Sequence, residues 1–358
     1  MLLSIPFPSW LKPEIIEGFP VRWYGVMYIF AFATAFLLYR KQVKERRFPM
    51  SDDNLSSLFF WGILALLLGA RLFSTLIYHT DNTYWTKPWL IFWPFNSDGS
   101  FGLQGMSYHG GAFLGLIAVI IYAKVKRISF REIGDMFAAS IPLGYTFGRI
   151  GNFINAELYG RVTDSPIGMV FPNAGLKMTS ENESLIREIA EKTNIAISGT
   201  MGEIVNLPRH PSQLYEAIFE GIVLWGIIWF FRNRKPFKGF LVGLYFLGYG
   251  LFRFIIEYFR EPDTHLGYRI ELGQTTLPHV YPFSHPLLSF STGQILCFFM
   301  MLFGIIWLII ASRMSNKEPI RIYGNDVDSK GRIKTQTVKP EEAAKERNQR
   351  RKMRKKLK

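Results

Sequence analysis

The segment at residues 148–161 has the sequence GRIGNFINAELYGR and closes an apolar run of membrane-span length that begins near Asp135. It places Arg149, Asn152 and Asn155 at the end of that run. An arginine near the centre of a bilayer costs roughly 2.5–3.5 kcal/mol even on the most lenient insertion scale. We predict that polar side chains kept in an apolar run have a functional role. We therefore interpret the other segments of the chain in relation to this one.

The composition is typical of a polytopic membrane protein. Of the 358 residues, 49% are hydrophobic and 16% aromatic. The mean hydropathy is +0.11 although 20% of the residues are charged, which indicates apolar spans joined by charged loops. From Arg313 onward the chain carries 16 Lys and Arg against 6 Asp and Glu, so most of the net charge of +14 belongs to a tail. We therefore expect no nucleic-acid partner. The single cysteine, Cys297, excludes a disulfide framework and a cysteine-based metal site, and we expect no metal or cofactor.

Seven apolar runs are long enough to span a bilayer, and they lie at residues 23–39, 58–78, 108–123, 135–154, 214–231, 240–259 and 295–311. Lys and Arg collect after the first, third, fifth and seventh runs. Short cytoplasmic loops are rich in Lys and Arg, and an odd number of spans puts all four basic sites on one side. We therefore predict an all-α polytopic membrane protein with seven transmembrane helices, its N-terminus outside and its C-terminus cytoplasmic.

The outer connections are long, and we expect the one at residues 155–211 to fold as a small extracytoplasmic head or arm, because it is too long for a plain linker. The predicted domain organisation is a seven-span membrane domain at 1–312, with this head inserted in it, and a basic cytoplasmic tail at 313–358.

Two predicted spans carry arginines. Arg149 and Asn152 are three residues apart and share a helix face, while Arg253 and Glu257 are four apart and can pair. Two arginines near the outer face, with few obvious carboxylates beside them, suggest an external anion. A guanidinium offers a planar fork that suits phosphate oxygens, and it stays charged. The alternative is that these residues form structural ion pairs between helices.

A second cluster, GMSYHGG at residues 105–111, lies at the outer mouth of the third run. Its histidine, His109, can titrate near neutral pH and act as a base, and the two glycines would let another group approach it. A hydrogen-bonded structural histidine is the alternative on equal terms. A third cluster, PRHPSQLYE at 208–216, leads into the fifth run and is expected to begin a helix capped by Ser212. Tyr24, at the outer end of the first run, is expected to anchor that span at the interface.

These segments together resemble the signatures of the bacterial phosphatidylglycerol–prolipoprotein diacylglyceryl transferase family. The resemblance rests on the segment at 148–161 and covers about residues 20–311. The other matching segments follow in the family's order, at residues 23–25, 108–111, 209–216 and 253–257. The connection at 260–291 is longer than the family minimum, and the basic tail is an addition.

The resemblance implies a reaction in which the diacylglyceryl group of phosphatidylglycerol moves to the thiol of a lipobox cysteine in a prolipoprotein. The products are a thioether and glycerol 1-phosphate. The partners are then phosphatidylglycerol, the signal peptide with its lipobox cysteine, and the surrounding membrane lipids. The enzyme would be a multi-pass protein of the bacterial cytoplasmic (inner) membrane, with its active site towards the outer face.

We hypothesise three catalytic residues. Arg149 and Arg253 would bind the lipid phosphate and stabilise the charge that develops on it, and His109 would act as the base or orient the thiol. The expected substrate-binding and supporting residues are Asn152 and Tyr24 at the head group or beside Arg149, Glu257 beside Arg253, and Glu157, Gly160 and His210 at the outer mouth.

Two other classes of protein remain as alternatives. A transporter or channel for an anionic solute would use the same intramembrane arginines, and it would be expected to show repeated halves or broken helices. A different phospholipid-processing enzyme, such as a lipase, would need a nucleophile of its own, and no glycine-flanked serine elbow is apparent.

Overall fold

The computed structural model describes residues 4–16, 22–45, 48, 50–79, 82–95, 105–180, 182–261, 268–270 and 289–314. The chain forms two compact units. The first comprises residues 1–39, 94–103 and 129–318, and the second comprises 40–93, 104–128 and 319–358. The predicted tail lies almost wholly outside the described residues, as does most of the connection at 260–291, so the predicted domain organisation stays a prediction.

The described residues are mostly helical. The helices are α1 (Trp23–Glu45), α2 (Asp52–Leu76), α3 (Thr83–Thr86), α4 (Tyr108–Lys126), α5 (Phe130–Ala138), α6 (Ile141–Ile154), α7 (Glu183–Thr193), α8 (Ser212–Glu216), α9 (Leu224–Phe231), α10 (Phe240–Ile256) and α11 (Thr292–Arg313). A 3-10 turn at Pro88–Ile91 follows α3, and a π-helical segment at Ala217–Val223 joins α8 to α9. Six short strands are β1 (Ile5–Pro6), β2 (Met169–Val170), β3 (Leu176–Lys177), β4 (Ile204–Val205), β5 (Tyr268–Ile270) and β6 (Phe290–Ser291).

Five of the described helical stretches are long and apolar enough to cross a membrane. They are α1, α2, α4, the continuous stretch Ser212–Phe231 and α11, and α10 is a shorter apolar helix of 17 residues. Their surfaces carry many exposed aromatic and aliphatic side chains, as expected where lipid replaces water. The protein is therefore a mostly helical membrane protein.

The predicted fourth span at 135–154 is not one continuous helix, so the predicted count of seven spans stays a prediction. It divides into α5 and α6 around Ala139 and Ser140, and Pro142 lies in the first turn of α6. Proline fits a first turn because it has no N–H to donate, whereas it disrupts a helix interior. The hydroxyl of Ser140 donates to the carbonyl of Met136 at 2.8 Å. This bond satisfies one of the carbonyl groups at the end of α5.

Asp135 on α5 satisfies the N-terminus of α10. Its carboxylate accepts the backbone N–H groups of Gly239 (2.9 Å), Leu241 (2.9 Å) and Val242 (3.2 Å), and the ammonium of Lys235 donates to it at 2.7 Å. The first N–H groups of a helix lack intrahelical acceptors, and a negative charge there is favourable. The side chain of Asp135 is fully buried. This contact fixes where α10, which carries Arg253, begins.

The fifth predicted span is confirmed as one apolar helical stretch, but its middle is π-helical. Gly221 in this segment lies against Thr146 of α6, since a Cβ atom at 221 would stand 3.1 Å from the Cβ atom of Thr146. The hydroxyl of Thr146 also donates to the carbonyl of Ala217 at 3.3 Å. Such π turns are rare and concentrate at functional sites. This one packs closely against the helix that carries Arg149.

The segment after α6 has its own small core. Antiparallel strands β3 and β4 pair Leu176 with Val205, and α7 covers them with one apolar face. The buried residues of this core are Val162, Met178, Leu185, Ile186, Ile189, Ala190, Val205 and Leu207. Near the N-terminus, β1 pairs in parallel with β2, and Phe7 packs against Phe171.

In the second compact unit, α2 and α4 pack through glycines. A Cβ atom at Gly69 would stand 2.8 Å from the Cβ atom of Leu114, and one at Gly110 would collide with Gly69 and Phe73. Ser107 caps α4, because its hydroxyl accepts the N–H of Gly110 at 3.1 Å. The glycines after His109 therefore serve close helix packing, which is a different use from the one that the sequence suggested.

Candidate functional site

Arg149 lies near the C-terminal end of α6, and its Nε lies close to two oxygen atoms. Its Nε donates to the hydroxyl of Tyr145 at 2.6 Å and stands 2.6 Å from Oε2 of Glu216. Its guanidinium also lies 4.8 Å from the centre of the Tyr145 ring. Its side chain keeps 17% exposure. Its Nη2 makes no hydrogen bond to a described residue, so the fork retains donors that an external anion can use.

Arg253 on α10 reaches three carboxylates. Its Nη1 donates to Oε1 of Glu216 at 2.7 Å and lies 3.7 Å from Oε1 of Glu220. Its Nη2 lies 3.4 Å from Oε2 of Glu257, one helical turn further on. The predicted pair of Arg253 and Glu257 is therefore present, but the shortest contact is with a different residue.

Glu216 connects the cluster. Besides Arg149 and Arg253, Nη1 of Arg260 donates to its Oε1 at 3.2 Å. Its side chain is 1% exposed. An isolated carboxylate buried to this extent would be very costly, and three guanidiniums compensate for it here. The sequence-based view that few carboxylates lie near these arginines was wrong, because Glu216 and Glu220 lie among them.

Asn152 links Arg149 to Glu157. Nη1 of Arg149 donates to Oδ1 of Asn152 at 3.4 Å, and Nδ2 of Asn152 donates to Oε1 of Glu157 at 2.8 Å. The Tyr24 ring lies beside this turn, because a Cβ atom at Gly151 would stand 3.1 Å from its Cδ2. The hydroxyl of Tyr24 shares a hydrogen bond with that of Tyr28 at 3.0 Å. Asn152 therefore contacts both Arg149 and Glu157, and the Tyr24 ring packs against the same helix.

Glu257 is held from the opposite side by the start of α11. The hydroxyl of Ser291 donates to its Oε1 at 3.2 Å. Gly293 leaves room for the carboxylate, since a Cβ atom there would stand 2.6 Å from the same oxygen. Glu257 thus connects Arg253 to the last predicted span.

Gly160 and His210, which are predicted to shape the outer mouth, are joined by backbone pairing. The N–H of Gly160 donates to the carbonyl of His210 at 2.8 Å, and a Cβ atom at Gly160 would lie 2.8 Å from that oxygen. The fully buried Arg209 donates to the carbonyl of Gly160 at 3.2 Å and to Glu261 at 2.9 Å. Burial lowers the pKa of His210 to about 4, so its ring is neutral at physiological pH. Its Nδ1 shares a hydrogen bond with the hydroxyl of Tyr215 at 2.9 Å.

His109 belongs to the second compact unit, whereas Arg149 and Arg253 belong to the first. It lies in the first turn of α4 with an exposed side chain. Its Nδ1 shares a hydrogen bond with the hydroxyl of Tyr78 at 3.2 Å. The expectation that His109 acts on the same substrate as the arginines stays a prediction.

Three site features escaped the sequence analysis or were misjudged in it. Glu216 and Glu220 are four residues apart, a spacing that could have identified a charged helix face in an apolar run. Tyr145 gave no signal beyond its position four residues before Arg149. Ser212 does not cap α8, because its hydroxyl donates to the carbonyl of Leu158 at 3.1 Å. Among the described residues, no group of three or more His, Cys, Asp or Glu side chains could hold a metal ion.

The fold and this cluster define a multi-pass helical membrane protein with a polar site among its helices. A family model described as prolipoprotein diacylglyceryl transferase matches residues 13–310, which is most of the chain. The chain belongs to the prolipoprotein diacylglyceryl transferase family, and the sequence-based prediction of this family is confirmed.

Relatives in several bacteria carry the name phosphatidylglycerol–prolipoprotein diacylglyceryl transferase. The protein of Treponema denticola is 50% identical to this chain over 325 residues, which cover 87% of this chain and 95% of the relative. The Treponema pallidum protein is 50% identical over 332 residues, with 89% and 99% covered. The Chlorobaculum tepidum protein is 38% identical over 323 residues, with 88% and 96% covered. The similarity therefore extends over nearly the whole length of these proteins.

Proposed function

We propose that this protein transfers the diacylglyceryl group of phosphatidylglycerol to the lipobox cysteine of a prolipoprotein. The observation that carries the proposal is that Arg149 of α6 and Arg253 of α10 both form ion pairs with the carboxylate of Glu216. The chain that holds this cluster belongs to the transferase family. This arrangement holds two guanidiniums close together at the end of apolar helices, which suits the phosphate of an anionic lipid.

The chemistry needs two kinds of assistance. A sulfur–carbon bond forms as the carbon–oxygen bond to phosphate breaks, so glycerol 1-phosphate leaves and the thiol proton is lost. A thiol with a pKa near 8.5 is only a few per cent thiolate at neutral pH, so a base or a positive field raises the reactive fraction. The departing phosphate gains negative charge, which preorganised guanidiniums stabilise. Arg149 and Arg253 take this second role.

The remaining residues of the cluster hold these two arginines. Asn152 orients Arg149, and Tyr24 supports the same turn or contacts the head group. Glu257 orients Arg253 through the contact of 3.4 Å. Glu157, Gly160 and His210 shape the outer mouth, where the close backbone approach of Gly160 to His210 leaves no room for a side chain.

His109 is the candidate base, or the group that orients the incoming thiol. Its exposed position at the start of α4 and its hydrogen bond to Tyr78 are compatible with proton transfer. Turnover by His109→Asn in a transfer assay tests this role, because a near-normal rate would exclude it.

The topology belongs to the same proposal. Seven spans would have the N-terminus and the active site on the outer face of the bacterial cytoplasmic membrane and the basic tail inside. Two observations support this arrangement. Lys and Arg follow alternate apolar runs, and Arg149 lies next to the segment at 155–211, which is expected to be extracytoplasmic.

A defined transfer assay tests the activity. Purified protein is incubated with phosphatidylglycerol and a lipobox peptide, and the peptide is examined for a mass gain of one diacylglyceryl group on its cysteine. We expect the gain with the wild-type protein and its loss with Arg149→Ala. A peptide that stays unmodified, or full activity in Arg149→Ala, would contradict the proposal.

A further inference from the structure

The hydroxyl of Tyr145 lies between Arg149 and Glu220 and bonds to both. It donates to Oε2 of Glu220 at 2.5 Å and accepts from Nε of Arg149 at 2.6 Å. The ring of the same tyrosine lies under the guanidinium at 4.8 Å. Tyr145 therefore contacts Arg149 through both its ring and its hydroxyl, which limits rotation of the guanidinium plane.

Glu220 is too buried to be a surface ligand. Its side chain has 0% exposure, and it has a hydrogen bond with Tyr145 and an ion pair of 3.7 Å with Arg253. A buried carboxylate lowers stability unless its partners compensate for it. Its short bond to Tyr145 determines which way the hydroxyl proton points, and this leaves the oxygen lone pair for Arg149.

The π-helical segment contains Glu220 and follows directly after Glu216. It packs against α6 through the hydrogen bond of Thr146 to Ala217 and the close approach of Gly221. Both carboxylates thereby reach α6, where Glu216 pairs with Arg149 and Glu220 accepts from Tyr145. Nε and Nη1 of Arg149 are occupied by contacts with Tyr145, Glu216 and Asn152, so Nη2 is the nitrogen left to face a phosphate.

We propose that Tyr145 and Glu220 are positioning residues that hold the Arg149 guanidinium with its Nη edge towards the departing phosphate. This inference rests on the proposed transferase function. Removal of the hydroxyl leaves the charge of Arg149 in place, so the binding of anionic lipid changes little. Without the hydroxyl, the N–H groups of Arg149 no longer point at the negative charge that develops on the departing phosphate. The chemical step therefore slows.

The test compares Tyr145→Phe with Tyr122→Phe in the transfer assay. Tyr122 offers a matched control, because its buried hydroxyl donates to the carbonyl of Asn54 at 2.6 Å. It belongs to the second compact unit, whereas Arg149 and Arg253 belong to the first. For Tyr145→Phe we expect kcat to fall about tenfold and KM for phosphatidylglycerol to stay within about twofold. For Tyr122→Phe we expect both constants to stay within about twofold.

The wild-type measurement separates the two claims. If wild-type protein transfers no diacylglyceryl group, the proposed function fails. If it does and Tyr145→Phe keeps its kcat, or changes only KM, the positioning role is wrong. An equal loss of kcat in Tyr122→Phe would also overturn it, because the loss would then report a general effect of deleting a buried hydroxyl.

A second pair of variants addresses Glu220 and decides the matter if Tyr145→Phe does not fold. Glu220→Gln keeps an acceptor for the tyrosine hydroxyl, whereas Glu220→Leu removes it. We expect a kcat loss several-fold smaller for Glu220→Gln than for Glu220→Leu, with KM little changed in both. Equal kcat values in the two variants would contradict the inference.

Discussion

The cluster depends most on one side chain, Glu216, whose two oxygens contact Arg149, Arg253 and Arg260. Removal of one partner from a buried ion pair leaves charges uncompensated, which typically costs about 3–5 kcal/mol. Loss of the Glu216 carboxylate would also remove the contact that orients Arg149 and Arg253, the two candidate catalytic arginines. The importance of Glu216 follows from its position between helices and not from its residue type.

We predict that Glu216→Gln lowers the free energy of unfolding by on the order of 3 kcal/mol and kcat/KM by about 100-fold. Thermal unfolding in detergent and the transfer assay measure the two effects. Glu132→Gln is the matched control, because Glu132 forms an ion pair of 2.7 Å with Lys235 at the other end of the α5–α6 segment. Wild-type values for Glu216→Gln in both measurements would show that the cluster does not need this carboxylate.

His210 makes the stability depend on pH. The native ring takes up a proton only near its pKa of about 4, whereas an unfolded histidine does so near 6.5. The unfolded state therefore binds more protons between these values, and stability falls as the pH drops from 6.5 to 4. The full contribution, present above pH 6.5, is about 3 kcal/mol.

We predict that His210→Gln weakens the fall in the unfolding midpoint of the detergent-solubilised protein between pH 7 and pH 4.5. Tyr215→Phe should keep the wild-type fall, because burial and not the hydrogen bond to Tyr215 lowers the pKa of His210. The same pH dependence in wild type and His210→Gln would refute the assignment.

The close packing of α2 against α4 depends on glycines. Gly110 faces the backbone of Gly69 and the ring of Phe73, whereas Gly62 on α2 has no neighbouring atom within 4 Å of where its Cβ would lie. Two helical glycines therefore have opposite tolerance for a methyl group. Backbones approach closely in membranes through such small residues.

We predict that Gly110→Ala lowers the free energy of unfolding by roughly 2 kcal/mol, since the added methyl forces the helices apart. Gly62→Ala should be neutral or stabilising by up to about 1 kcal/mol, because alanine favours a helix over glycine. Thermal unfolding of both variants in one detergent makes the comparison. A Gly110→Ala variant as stable as Gly62→Ala would contradict the packing argument.

Some elements follow from the sequence and others do not. The apolar runs at 23–39, 58–78, 108–123, 214–231 and 295–311 correspond to helices long enough to span, because hydrophobic length is a local property. The run at 135–154 broke into α5 and α6 because Pro142 begins a new helix, which hydrophobicity alone does not reveal. The π-helical segment also had no signal in composition, since it depends on packing against α6.

The orientation of the spans determines on which side of the membrane the candidate site lies. Residue 198 lies in the segment expected outside, and residue 233 lies after the fifth apolar run, where basic residues predict the cytoplasm. Ser198 and Asn233 both have exposed side chains. Cys297 is the single native cysteine, so its replacement leaves a clean background for labelling.

We predict that Ser198→Cys, in a Cys297→Ser background, reacts with a membrane-impermeant maleimide on intact cells. Asn233→Cys should react only after permeabilisation, because the intact membrane keeps the reagent out of the cytoplasm. The extent of labelling in the two conditions is the measurement. Labelling of Asn233→Cys from outside, or protection of Ser198→Cys, would reverse the proposed topology.

The family, the apolar segments and the pairing of Arg253 with Glu257 could be predicted from the residues alone, because they depend on motifs, on local hydrophobicity and on spacing along one helix. The packing of the helices was needed to see that Arg149 shares Glu216 with Arg253 and that Tyr145 joins Arg149 to Glu220. Contacts between helices depend on how the helices rotate and pack, and spacing along the chain does not specify this. The segment at 148–161 was recognisable from its costly arginine, whereas the carboxylate that stabilises that arginine lies 67 residues further along the chain.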